Sequence, residues 1–164
     1  MGVCNVHERL LPASRSEVGA LLDSLAGGAD RLWPHDTWPA MRFDRPLAEG
    51  AVGGHGPVRY TVAAHVVGTW VRFAFTGPRG FDGFHEFAAF TVDERHTLLR
   101  HTLAMTARGS ARLTWPLVWR PLHDACLEDS MDRAELACAG EVKRPARHTP
   151  YVRVLRALAN RGGR

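Results

Sequence analysis

The sequence predicts an α+β domain in which a curved antiparallel sheet of about six to seven strands is covered by one long C-terminal helix. Three observations predict it. Residues 58–106 read as successive strands, with apolar residues at every second position and turn residues between them. Residues 111–139 carry apolar side chains at three- and four-residue steps, the spacing of a helix face. This helical pattern is the only one long enough to cover the sheet, and it follows the strands instead of alternating with them. With 164 residues, 45% hydrophobic and 23% charged, the chain has the size and balance of one globular domain with one core.

Val3 to Leu11 reads as a strand, ended by Pro12. Ser14 or Ser16 is the candidate N-cap of the next helix, and Glu17, three residues after Ser14, completes a capping-box pattern. Val18, Leu21, Leu22 and Leu25 recur at helical spacing as far as the stop signal Gly27-Gly28. Residues 29–42, with Trp33, Trp38 and Met41, read as a second short helix or an ordered loop, because Pro34 and Pro39 break anything longer. The expected layout thus has two short helices after the first strand.

Arg45 to Ala51 reads as a short strand and Gly53 to Pro57 as a turn. The clearest hairpin follows. Val58, Tyr60, Val62, Ala64 and Val66 alternate with more polar residues, as do Thr69, Val71, Phe73 and Phe75 after Val67-Gly68. A two-residue loop pairs Val66 with Thr69 and Val62 with Phe73, placing both apolar sets on one face. Strands at 84–92 and 97–106 join through a turn at Asp93-Glu94. On the second, Leu99, His101, Leu103 and Met105 share the more apolar side, so His101 is expected to point inward. In the long helix, Trp119, Leu122, His123, Cys126, Leu127, Ser130, Met131, Ala134 and Cys138 share one broad side. Asp124, Glu128, Asp129, Asp132, Arg133 and Glu135 read as solvated, and Gly140 as the stop.

Residues 1–140 form the expected domain and 141–164 a basic tail. The tail holds seven Lys and Arg residues against one acid, so the net charge of +4 belongs to it and not to the domain. A short apolar-periodic piece, Val152, Leu155 and Leu158, either docks or frays. The domain lacks a basic stripe with interleaved aromatics, which argues against nucleic acid as a partner. No apolar run reaches the roughly 18 residues of a membrane span, and residues 1–11 lack the layout of a signal peptide, so a cytoplasmic location without membrane insertion is expected. A homodimer is left open. Cys4, Cys126 and Cys138 lack the close spacing of a disulfide or zinc framework and read as buried thiols.

Short segments carry a resemblance: Asn-Val-His-Glu-Arg at 5–9, Gly-His-Gly-Pro-Val-Arg-Tyr at 54–60 and Phe-Thr-Gly-Pro-Arg-Gly-Phe at 75–81. Gly-Phe-His-Glu-Phe at 83–87, Leu-Arg-His-Thr-Leu at 99–103 and Trp-Pro-Leu-Val-Trp-Arg-Pro-Leu-His-Asp-Ala at 115–125 add to it. They resemble bacterial members of the SRPBCC superfamily (START/Bet v 1-like, polyketide cyclase/dehydrase-like) of unassigned function. The resemblance covers residues 1–140 and implies the helix-grip fold, in which the sheet wraps the last helix around a cavity. That group contains polyketide cyclases, lipid carriers, hormone receptors and chaperone regulators without a shared catalytic motif, so the resemblance implies a ligand cavity and no particular reaction.

Candidate site residues follow from the inward faces. His101, a lone titratable group in an apolar row, is the first candidate for acid/base or ligand-orienting work; the alternative is a core histidine satisfied by a neighbour. Its partner depends on the phase of the strand 84–92. Either Glu86 faces in, opposite His101, or His85 does, with Phe87 and Ala89. Tyr60, Val62, Val71, Phe73, Phe75, Leu99, Leu103, Met105, Trp119, His123 and Cys126 are the expected cavity wall. Trp115 reads as packing, and His55 as part of a cavity rim. His7 and Glu8 lie on the first strand with their facing open.

No metal site is expected, since the nine histidines show no His-x-His or His-x-x-x-His spacing, and His55, His85, His101 and His123 converge only if the fold brings them together. No cofactor is implied. Three functions remain: a carrier or sensor of a small hydrophobic or aromatic, polyketide- or lipid-like ligand; a cyclase/dehydratase-type enzyme using His101 with Glu86 or His85; and an interaction module with a filled interior. An open cavity above about 300 Å³ favours the first two.

Overall fold

The computed structural model describes residues 1–161 and the side chains of 1–158; Arg164 of the basic tail and the side chain of Arg161 lie outside this description. Seven strands form one antiparallel sheet in the order β1-β7-β6-β5-β4-β3-β2. They are β1 (Gly2–Leu11), β2 (Arg42–Phe43), β3 (Val52–His55), β4 (Val58–Val66), β5 (Trp70–Gly77), β6 (Phe81–Thr91) and β7 (Thr97–Ala107). Helix α1 (Arg15–Asp23) follows β1. After β7 come a single turn α2 (Ala111–Thr114), a π-helical turn (Trp115–Trp119), the long α3 (Arg120–Ala139) and α4 (Pro150–Arg161).

The first connection obeys its local signals. Ser14 caps α1, and Glu17 returns the bond to the Ser14 backbone at 2.8 Å, closing the capping box. Ser14→Ala is expected to cost about 1 kcal/mol in chemical denaturation, and a loss under about 0.3 kcal/mol would mean the cap is dispensable. Helix α1 stops at Asp23, short of Gly27, and the Asp23 side chain reaches to the β4–β5 turn. Its carboxylate accepts the Gly68 N–H at 2.9 Å and faces His65 Nε2 at 3.1 Å. Gly19 permits this approach, since a Cβ there would stand 2.5 Å from the Gly68 carbonyl oxygen.

Only one of the two expected short helices forms. Residues 29–41 are a chain of turns held by Asp30, whose carboxylate accepts the N–H groups of Ala26, Leu32 and Trp33 at 2.8–2.9 Å. Pro34 and Pro39 bar a helix there. The expected strand at Arg45–Ala51 is likewise absent. Strands flank that segment instead, with Gly53 opposite Tyr60 in β3–β4. A Cβ on Gly53 would meet the Arg42 carbonyl oxygen at 2.0 Å, so the glycines read as a turn are what let β2 and β3 pair.

In the main hairpin Val62 pairs with Phe73 as expected, but an irregularity between Val62 and Ala64 moves Val66 opposite Trp70. The slip sends Val66 outward and turns His65 in toward Asp23. Between β6 and β7 the Val92 N–H bonds the His96 carbonyl, so the loop is one residue longer than expected. That residue shifts the register: Phe87 faces His101, and Glu86 faces Thr102.

The helical run 111–139 forms with a defect that its prolines explain. Pro121 has no N–H to offer Leu117, and the Arg120 N–H bonds back to Trp115, a π-type step. The Leu117 carbonyl left over accepts the Tyr151 hydroxyl of α4. Val152 is buried in the main core and His148 bonds Asp129 at 2.8 Å, so the start of the tail docks on α3. Gly140 ends α3 in the left-handed conformation, φ 76°.

The acidic side of α3 is only partly solvated, because β1 packs polar residues against it. Strand β1 turns Asn5, His7 and Arg9 toward it and leaves Val6 and Leu10 about half exposed, at 48% and 53%. Asn5 Nδ2 donates to Asp124 at 2.9 Å, and His7 Nδ1 lies 2.7 Å from Glu128. Arg9 joins Glu128, Asp132 and Glu135. Glu8 points outward to Arg100.

Candidate ligand-binding site

The buried apolar residues fall into two groups. The larger spans α1, the turns at 32–41, the sheet centre and α3. The smaller gathers Phe81, Leu103, Met105, Ala107, Ala111 and Trp115. A cavity of about 100 Å³ has walls from both. Its lining includes the expected Phe75, Leu103, Trp119, Cys126, His85, His101 and His123, together with His55 at one side. Tyr60, Val62, Val71, Phe73, Leu99 and Met105 are buried as expected but pack in the core, outside the lining. Trp33, Trp38, Phe81, Trp115 and Leu122 line the cavity without having been singled out for it. The two early tryptophans sit in turns whose path no periodicity reveals.

The facing of β6 is settled. His85 and Phe87 are buried, and Glu86 lies on the outer face, where its carboxylate holds Arg72 Nε at 2.8 Å. Glu86 is therefore not the partner of His101. His85 is: its Nδ1 stands 3.2 Å from His101 Nε2. The His101 ring lies 5.1 Å from that of His123, which lies 5.7 Å from that of His7. On the other side His55 Nδ1 meets the Tyr60 hydroxyl at 3.0 Å. The four histidines that spacing alone does not connect are thus brought together by the fold.

Burial keeps these imidazoles neutral. It pushes His85 and His101 well below the ordinary histidine value, lowers His123, and takes His55 down to about 3; the neighbouring histidines add to the effect on His85, His101 and His55. Burial raises the Tyr60 hydroxyl and the Cys126 thiol, so neither ionises near neutral pH.

Two neutral imidazoles sharing one hydrogen bond present a donor on one side and an acceptor on the other, so here both are the Nδ1–H tautomer or both the Nε2–H tautomer. Whichever way that proton lies, the His85–His101 pair keeps one free N–H and one free lone pair. The free atoms are His85 Nε2 and His101 Nδ1, both buried and unpartnered, as are both nitrogens of His123. Unpaired buried polar atoms are costly, and so many in one cavity mark a place for a polar ligand atom.

Similarity to solved structures agrees with this architecture. The aromatase/cyclase Zhui from Streptomyces sp. R1128 superposes with a TM-score of 0.60 at 17% identity, over 87% of this chain and 100% of the other. A norcoclaurine synthase point mutant from Thalictrum flavum, solved with a transition-state analogue, gives 0.63 at 12% identity, over 85% and 96%. The fold is the helix-grip fold. CalU16 from Micromonospora echinospora shares it, at a TM-score of 0.59 and 13% identity over 98% of this chain and 85% of the other. The helix-grip likeness to these SRPBCC-type proteins is one of architecture. No protein-family model matches the chain, and no curated protein matches it. Among the described residues no helix is long and apolar enough to cross a membrane.

Proposed function

We propose that the protein binds a small, neutral, mainly aromatic ligand bearing one carbonyl or hydroxyl group, as a carrier or sensor. The row of neutral imidazoles with unpartnered nitrogens, set in an otherwise aromatic and aliphatic wall, carries this reading. A donor and an acceptor on adjacent histidines suit a hydroxyl, which does both, and either tautomer suits a carbonyl. Size limits the ligand. A cavity of about 100 Å³ is below the expected 300 Å³ and of the order of one aromatic ring, since apolar cavities near 150 Å³ admit benzene. A polyketide- or lipid-like molecule would place one ring or one chain end there and leave the rest outside.

An acid/base enzyme of the cyclase type is the second reading, and the His85–His101 contact at 3.2 Å favours it. The depressed basicity of both histidines weighs the other way, because proton transfer near neutral pH is best served by a group titrating near neutral pH. Orientation of a ligand asks no such match.

Phenol and toluene, which differ by a hydroxyl for a methyl, test the binding reading. In NMR titrations phenol is expected to bind about tenfold tighter than toluene, the worth of one satisfied buried hydrogen bond. His101→Leu is expected to level that preference. Equal affinity for the two compounds, or binding of neither, would sink the proposal.

A further inference from the structure

We propose that His7, His123 and Asp124 form a binding site for a borderline divalent cation of the zinc(II) class. His7 Nε2 and Asp124 Oδ1 stand 3.3 Å apart, and His123 Nδ1 and Asp124 Oδ1 stand 3.6 Å apart. One ligand atom from each of the three residues lies within 4.8 Å of the others. Ligand atoms about 2.0–2.1 Å from a tetrahedral ion are separated by roughly 3.3–3.4 Å. The His7–Asp124 and His123–Asp124 edges are therefore close to the spacing the ion requires, before any rearrangement.

The surroundings favour a metal on three further counts. Both nitrogens of His123 are buried without a partner, so one is free to coordinate. His7 Nδ1 lies 2.7 Å from Glu128 Oε1 and its Nε2 lies 3.3 Å from Asp124 Oδ1, so an ion would take the place of the Nε2 proton while Glu128 keeps the Nδ1–H. A carboxylate holding the far nitrogen of a ligating imidazole is the usual outer support of such a site. Asn5 Nδ2 steadies Asp124 Oδ1 at 2.9 Å, and Asp124, 37% exposed, leaves a route for the ion from solvent.

The set is two imidazoles and one carboxylate, a combination that suits zinc(II) and its first-row neighbours better than calcium or magnesium. Three protein ligands leave a fourth position for water or another group. His123 also lines the cavity, so the ion would stand at the cavity's edge. The sequence conceals this site because His7 comes from β1 and the other two residues from α3, more than a hundred positions away.

The site shares only His123 with the cavity, since His7 and Asp124 do not line it, so the phenol test, which turns on His101, and the metal test fail independently. The test titrates chelator-treated full-length protein with Co²⁺ and then Zn²⁺, following visible absorption and heat. One equivalent of Co²⁺ is expected to bind with the intense absorption of a tetrahedral centre, and Zn²⁺ to displace it. His123→Ala and Asp124→Asn, each checked for folding by circular dichroism, are expected to weaken binding 100-fold or more, and Glu128→Gln about tenfold. His96→Ala, on an exposed turn, leaves it unchanged. No stoichiometric binding below 100 μM, or equal binding by the folded His123→Ala and Asp124→Asn variants, would overturn the site while leaving the phenol result untouched.

Discussion

Acidification from pH 7.5 to about 4.5 is expected to unfold this protein, with a steeper loss of stability than its carboxylates explain. His55, His85, His101 and His123 are held below the histidine value of 6.5 in the folded chain and regain it on unfolding. Below pH 6.5 the unfolded chain therefore binds more protons, and stability falls as the pH falls. Each group contributes a slope of up to about 1.4 kcal/mol per pH unit, and four together up to about 5.5 kcal/mol per pH unit.

The loss starts at 6.5 and, for His55, continues to about 3. A domain stabilised by about 5–15 kcal/mol is exhausted within roughly one to three units of that start. His7 behaves oppositely. Burial pulls it down, but Asp124 and Glu128 outweigh that and raise it. Its contribution is complete below 6.5 and disappears only as the pH rises through its folded value, so it does not relieve the acid loss. The lowered Asp124 carboxyl adds its own loss only below the usual carboxylate range. Urea midpoints measured from pH 7.5 to 4 supply the check. His101→Met should remove about a quarter of the slope, and a stability flat from pH 7 to 4.5 would contradict the neutral cluster.

Arg9→Met is expected to be the most damaging single substitution outside the apolar core, at about 3 kcal/mol or more. The Arg9 side chain is 20% exposed, and its partners Glu135 and Asp132 are 11% and 16% exposed, so solvent screens the group only weakly. Removing the guanidinium leaves adjacent carboxylates facing an apolar methionine. The same acids hold the chain after α3: Glu135 accepts the Lys143 N–H at 3.3 Å, and Asp132 accepts that of Ala146 at 2.7 Å. A double variant, Arg9→Met with Glu135→Leu, should recover part of the loss, because it removes a stranded charge together with its partner. A change within 0.5 kcal/mol for Arg9→Met alone would show that the cluster is no more than a screened surface network.

Much of the architecture was legible where apolar alternation is regular. Val62 opposite Phe73, the inward Leu99–Met105 row with His101 in it, and the Ser14–Glu17 box all follow from spacing or capping chemistry. What escaped depended on single residues in turns. One extra residue before His96 exchanged Glu86 for His85 as the neighbour of His101, and local pattern alone fits either. Strand β1 misleads for another reason. Its apolar Val6 and Leu10 face out, and its polar Asn5, His7 and Arg9 face the acidic side of α3, a match visible only when strand and helix are seen together. The helix acids looked solvated for the same reason.

The position of β1 also bears on how the protein is made. It is the first of the elements to leave the ribosome, yet among the described residues its only strand partner is β7, and its inward side chains are met by α3. Gly2 pairs with Thr106, so roughly a hundred residues must be synthesised before the pairing is complete, about 5–20 s at ordinary elongation rates. During that interval the strand is an unpaired ribbon carrying Val6 and Leu10 on one side and Arg9 without its acids on the other. Nascent-chain chaperones should therefore engage residues 2–11 until α3 emerges, and chains stalled before residue 120 should be the aggregation-prone ones.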